Sequence, residues 1–93
     1  MARWRFEWDE HNVQHIARHG VGPTEVEQAA DGSPVVGPRE LVKGEWRQLL
    51  FGKTAAGRYL RVCFTLRGGK FRTVTAHPMD RQDRKNYAAK IGK

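Results

Sequence analysis

The chain is predicted to form an α+β domain: an antiparallel sheet of about four strands with two N-terminal helices packed on one face and a C-terminal helix. Three features lead there. Residues 3–8 alternate Trp4, Phe6 and Trp8 with Arg3, Arg5 and Glu7, the period-2 signature of a half-buried strand. Two short segments with apolar stripes follow, each carrying helix-capping residues at its ends. From residue 46 to residue 77, strand patterns succeed one another through short connections, which implies antiparallel pairing.

Asp9 supplies the N-cap of the first helix, with Trp8 and Val13 at the staple positions on either side. Val13, Ile16 and Ala17 form its apolar stripe, which stops at Gly20, and Val21 can contact Ile16 to complete a Schellman-type end. Pro23 suits the first turn of the second helix, whose Val26, Ala29 and Ala30 turn inward and whose stop is Gly32. Residues 31–38 are rich in turn formers, with Val35 and Val36 a weak strand signal, and residues 39–43 fit either strand or loop. Strands are expected over residues 46–53 and 59–67 around a loop at 53–58, with Leu60, Val62, Phe64 and Leu66 on one face. Gly68 and Gly69 provide the positive φ of a two-residue hairpin loop leading to a strand over 71–77, which Pro78 ends.

On the final helix, expected over residues 80–91, Arg84, Tyr87, Ala88 and Ile91 fall at i, i+3, i+4 and i+7, the spacing of one buried face. That stripe puts Arg84 where a leucine normally sits. A guanidinium is not desolvated without a partner or a wet cleft, so this helix is expected to edge a polar groove.

Ninety-three residues make a single domain over 1–93. One cysteine, Cys63, rules out a disulfide framework and, within an apolar strand pattern, reads as a small buried hydrophobe in a reducing compartment. Neither a membrane span nor a signal peptide is apparent, so a cytoplasmic protein is expected. Seventeen Lys and Arg oppose ten Asp and Glu, a net charge of +7. Arg81, Arg84, Lys85, Lys90 and Lys93 stand against Asp83 alone in residues 81–93, a net +4 and more than half of that excess. Such clustering fits a polyanionic or acidic partner, and equally a basic solubilising face.

Two tempting motifs fail. His11, His15 and His19 are four apart, yet they lie opposite the apolar stripe without a converging carboxylate or cysteine, so no metal site is expected and His19 caps the helix dipole instead. Gly52-Lys53-Thr54 spells the end of a phosphate loop, but Arg47 holds the position of its first glycine and a strand follows. No cofactor is implied.

The basic and aromatic set carries more. Arg47, Arg61, Arg72, His77, Arg81, Arg84 and Tyr87 come from three strands and the last helix and can converge on one concave surface. RNA transesterification needs a base for the 2′-hydroxyl, cations for the pentacoordinate charge and an acid for the leaving oxygen. His77 is the member of that set able to exchange a proton near neutrality, and Tyr87 can orient a phosphate or stack on a base.

Phe6-Glu7-Trp8-Asp9, Asn12 to His15, Arg18-His19-Gly20-Val21, Gly57-Arg58-Tyr59-Leu60 and Thr75-Ala76-His77-Pro78-Met79, running on through Arg81, Arg84 and Tyr87, together resemble the BrnT-like type II toxins of the RelE/ParE superfamily. The likeness spans residues 6–87. It implies a RelE-like fold, metal-independent cleavage of mRNA, on or off the ribosome, and neutralisation by a cognate antitoxin, often a ribbon-helix-helix protein. Carried over by position, it maps onto Arg72, His77, Arg81, Arg84 and Tyr87 and, on an earlier strand, Arg47; catalytic roles are expected for Arg47, Arg72, His77, Arg84 and Tyr87, and the charge pattern adds Arg61 and Lys85 to Arg81 as RNA-binding residues. Where such sequences commonly have Ala-Arg before the last helix, this one has Ala76-His77, which either gains acid-base ability or loses a permanent phosphate clamp. The antitoxin is expected as an acidic, amphipathic segment near residues 81–93 that buries Tyr87 or Trp46. The alternatives are a non-catalytic basic module that binds nucleic acid or an acidic partner protein, and a toxin acting on a protein target.

Overall fold

Capping chemistry fixes the start of the fold. The computed structural model describes residues 5–91, so Arg3 and Trp4 of the expected first strand lie outside the described residues, as does Lys93. What is described of that strand is β1 (Phe6–Glu7). Helix α1 (Glu10–Ala17) begins with a reciprocal capping box: Asn12 N donates to the Asp9 carboxylate at 3.0 Å and Asp9 N donates to Asn12 Oδ1 at 2.9 Å. It ends as expected, with Gly20 at φ +72° and Val21 N donating to Ile16 O at 3.2 Å. Helix α2 (Pro23–Asp31) starts on Pro23, stops at Gly32 and buries Val26, Ala29 and Ala30.

Five strands form one mixed sheet in the order β1-β5-β4-β3-β2, where about four antiparallel strands were expected. Three strands fall where expected: β4 (Tyr59–Arg67) keeps the expected bounds, while β3 (Glu45–Lys53) and β5 (Lys70–Pro78) run slightly longer, and β4 and β5 are joined by Gly68 and Gly69, both at positive φ. The fourth is β2 (Val35–Val42), whose status the sequence left open. It is an edge strand with a register shift between Val36 and Arg39, around Gly37 and Pro38. Only an edge tolerates a proline there, and the interruption hides the period-2 pattern. The fifth, β1, pairs with β5 in parallel, Phe6 against Phe71, and this makes the sheet mixed.

Register assigns the faces. Leu50, Gly52, Leu60, Val62, Phe64 and Ala76 point toward α1 and α2 and join Ile16, Val21, Val26, Ala29 and Ala30 in the core, apart from Gly52, whose backbone meets Ala29 directly. Arg47, Leu49, Phe51, Arg61, Cys63, Thr65, Arg72 and His77 point to the other face. Cys63 is thus a half-buried residue of the open face, outside the core; burial pushes its thiol pKa up. Between β4 and β5 the pairing skips Val74, since Cys63 faces Thr75 and Phe64 faces Thr73.

Helix α3 (Arg81–Ile91) corrects the sequence reading most sharply. Its buried residues are Asp83 and Tyr87, one turn apart, while Arg84, Ala88 and Ile91 are exposed. Asp83 can be buried because it is paired twice over. It closes a capping box with Asp80, the two backbone N–H groups donating at 2.7 and 3.2 Å, and it accepts from Arg61 at 3.2 Å. Among the described residues no helix is long and apolar enough to cross a membrane.

Candidate active site

Where the first turn of α1 meets the open face of the sheet, a recess of about 140 Å³ is lined by His11, Asn12, Glu45, Arg47, Thr65, Arg67, Arg72, Thr73 and Val74. Each wall has a local cause. Arg47 and Thr65 alternate onto this face from β3 and β4, and the Thr65 hydroxyl donates to Trp46 O at 2.8 Å, clamping the two strands. Asn12, fully buried, donates to Glu7 O at 2.9 Å and so moors the α1 N-terminus to β1. Arg72 then meets the α1 cap: its guanidinium lies 2.7 Å from Asp9 Oδ2.

Carboxylates hold all three arginines. Asp9 takes Arg72, and Glu45 bridges the other two, Oε1 to Arg47 and Oε2 to Arg67, each at 3.3 Å. The Arg72 and Arg47 side chains are only 18 and 31 % exposed, so their positive charge is partly desolvated and poised for an anion. Thr73, which also lines the recess, has its Oγ1 buried without a hydrogen-bond partner, the sort of polar atom that costs about 1–3 kcal/mol when left unmet.

The Asn12 backbone N–H and then Arg72 hold the Asp9 carboxyl below the usual carboxylate range. Its folded-state pKa is depressed, so its contribution to stability is present above the unfolded value and is lost as pH falls through the folded one. Melting temperatures followed from about pH 5 to about pH 2 should drop further for the parent than for Asp9→Asn, which keeps a cap acceptor but cannot titrate. Equal drops would show that the Asp9 charge adds nothing.

Of the residues expected to converge, the recess holds Arg47 and Arg72. His77 shares their face but pairs with Arg61 at the opposite end of β5, five residues from Arg72 and so roughly 15 Å along the strand. There its ring meets His19 at 5.7 Å between centroids, and His19 meets His15 at 6.5 Å. The histidine stripe of α1 therefore ends against β5. Tyr87 is buried, donates its hydroxyl to Ser33 O at 3.0 Å and packs on Tyr59; burial, then Tyr59, raises its pKa. Arg84 lies over the Tyr59 ring at 4.9 Å. Arg61 is taken up by Asp83 and by the Phe51 ring at 5.7 Å. Arg81 and Lys85 are exposed on α3. One shared hollow for all these cations does not form, because the buried face of α3 carries Asp83 in place of Arg84.

Sequence reasoning missed His11, Glu45, Arg67 and Asp9. Glu45 and Arg47 sit two apart on a strand, a same-face spacing that could have joined them. Nothing local signals that the outward side of α1 borders the sheet's open face.

A family model described as "Ribonuclease toxin, BrnT, of type II toxin-antitoxin system" matches residues 8–83. That span holds every residue of the recess and stops short of Arg84, Lys85 and Tyr87. No curated protein matches the chain.

Proposed function

The chain belongs to the BrnT family of type II ribonuclease toxins, and from that premise we propose that it is a cytoplasmic, metal-independent endoribonuclease that cleaves mRNA in the Arg47–Arg72 recess. One observation carries this: arginines from three strands meet a histidine, a carboxylate and an unmet hydroxyl in a single recess. Those groups cover every requirement of transesterification at phosphorus without further help.

The scissile phosphate competes with Glu45 for Arg47 and Arg67 and binds Arg72. Displaced from its two guanidiniums, Glu45 accepts the 2′-hydroxyl proton; O2′ attacks phosphorus, and the P–O5′ bond breaks as the His11 imidazolium protonates O5′. Products are a 2′,3′-cyclic phosphate and a 5′-hydroxyl. The three arginines carry the charge that builds on the equatorial oxygens. Arg61, Arg81 and Lys85 serve the flanking RNA, and His77, Arg84 and Tyr87 shape the far end of the fold.

Purified protein incubated with mRNA, with and without ribosomes, tests the proposal. Cleavage with cyclic-phosphate ends is expected to persist in excess chelator and in a His77→Ala/Arg84→Ala variant. Loss of cleavage in chelator would refute metal independence, and loss in the double variant would return those two residues to the mechanism. Intact RNA under every condition, with growth unaffected on expression, would favour the binding-module reading.

A further inference from the structure

The helix-bearing face of the sheet is longer than the helices that cover it. Beyond them Leu41, Trp46 and Leu66 are 57, 55 and 63 % exposed. The ladder sets them side by side, Leu41 opposite Trp46 and Leu66 opposite Phe71, with Phe71 next to Phe6. A recess of about 620 Å³ opens among Trp46, Gln48, Phe64, Leu66 and Phe71, and the Arg39 guanidinium lies 5.0 Å from the Trp46 ring. Large contiguous apolar side chains left this exposed mark a surface that a partner covers.

Charge selects the partner. The two hairpin tips at this end of the sheet add Lys43 and Lys70 to Arg39 and Arg67, on a chain of net charge +7. A second copy would set these cations against their own kind, whereas an acidic chain would neutralise them. Position gives the consequence, because Glu45, Arg47 and Thr65 line both this recess and the candidate active site.

Resting on the toxin reading above, we propose that the Trp46 patch is the seat of the antitoxin: an acidic amphipathic segment fills the recess with apolar side chains and brings carboxylates to Arg39 and to the hairpin-tip lysines Lys43 and Lys70. Inhibition follows from position, because the occupant covers the end of β3 and β4 whose Glu45, Arg47 and Thr65 also line the candidate active site. The sequence-based placement near residues 81–93 gives way in part. Tyr87 is already buried inside the fold and has no area to offer, while Trp46 remains available.

The test uses the full chain and the protein encoded by the reading frame adjoining its gene, with affinity measured by titration calorimetry and cleavage measured on the free toxin. Trp46→Ser/Leu66→Ser should weaken binding by roughly 100-fold and leave free-toxin cleavage and the circular dichroism spectrum as in the parent. Arg81→Glu/Lys85→Glu should bind as the parent does. Unchanged affinity in the first variant, loss confined to the second, or no binding by the parent would each overturn the proposal. So would a concentration-dependent dimer of the chain alone that Trp46→Ser abolishes, since the patch would then serve a second copy. The toxin reading fails separately, if the free parent neither cleaves RNA nor arrests growth.

Discussion

RNA cleavage by an Arg72→Ala variant is expected to fall roughly 10²–10³-fold, the loss typical when one preorganised donor to a developing oxyanion is removed. His11→Ala should cost roughly 10²–10⁴-fold through the missing proton donor. Neither change strands a buried charge: the Asp9 partner of Arg72 is exposed, and so is His11. The melting temperature of His11→Ala should therefore stay close to the parent's, while Arg72→Ala should lose the contribution of the Asp9–Arg72 pair, so cleavage is compared well below both melting temperatures, and that separates a chemical role from a structural one. Arg72→Lys divides charge from geometry. It restores the positive charge without the planar fork that can grip two phosphate oxygens, so its rate should fall between parent and alanine variant. Cleavage at the parent's rate in both alanine variants would move the active site elsewhere, and the Arg61–Asp83 groove beneath α3 would be the next place to look.

What the sequence revealed and what it hid divide by range. Caps, the Gly68-Gly69 turn and the alternation of residues 59–67 depend on near neighbours, and the structure has them where the residues indicate. The parallel pairing of Phe6 with Phe71 joins residues that are neighbours only after folding, and no local pattern announces it. Helix α3 shows why an apolar period can mislead. Spacing from the apolar Tyr87, Ala88 and Ile91 places Arg84 on the inward stripe, but the buried face carries Asp83 and Tyr87, the Asp83 carboxylate being held by the Asp80–Asp83 box and Arg61. The site suffered the same blindness. Arg47 and Arg72 were legible as cations on strands, whereas His11 was assigned to solvent because an amphipathic helix defines only its core side. Its other neighbour is set by where α1 crosses the sheet, which is tertiary information.

Gly52→Ala should be the most damaging single methyl group in the chain. A Cβ built at Gly52 would lie 2.1 Å from the Ala29 carbonyl oxygen, 2.8 Å from its carbon and 3.1 Å from Ala29 Cα. All three are backbone atoms, so no rotamer change relieves the clash, and α2 must move bodily off β3. That helix brings Val26, Ala29 and Ala30 to the core, where they pack with Leu50, Leu60 and Val62. Forced overpacking costs about 1–3 kcal/mol in compliant cores; against two rigid backbones the upper end, about 3 kcal/mol, is expected. For a domain of this size that lowers the melting temperature by roughly 12–24 °C. Gly44→Ala provides the contrast. Its φ of +78° is strained for alanine, but a Cβ there meets nothing within 4 Å, so only the backbone penalty of about 1–2 kcal/mol applies. Thermal melts of both variants decide the matter. Equal losses would show that α2 gives way to the added methyl group, whereas the larger loss at Gly52 would identify the glycine of the apparent phosphate-loop fragment as the point of closest approach between helix and sheet. Because β3 carries Glu45 and Arg47 on its opposite face, the same displacement should also lower cleavage by whatever Gly52→Ala protein remains folded.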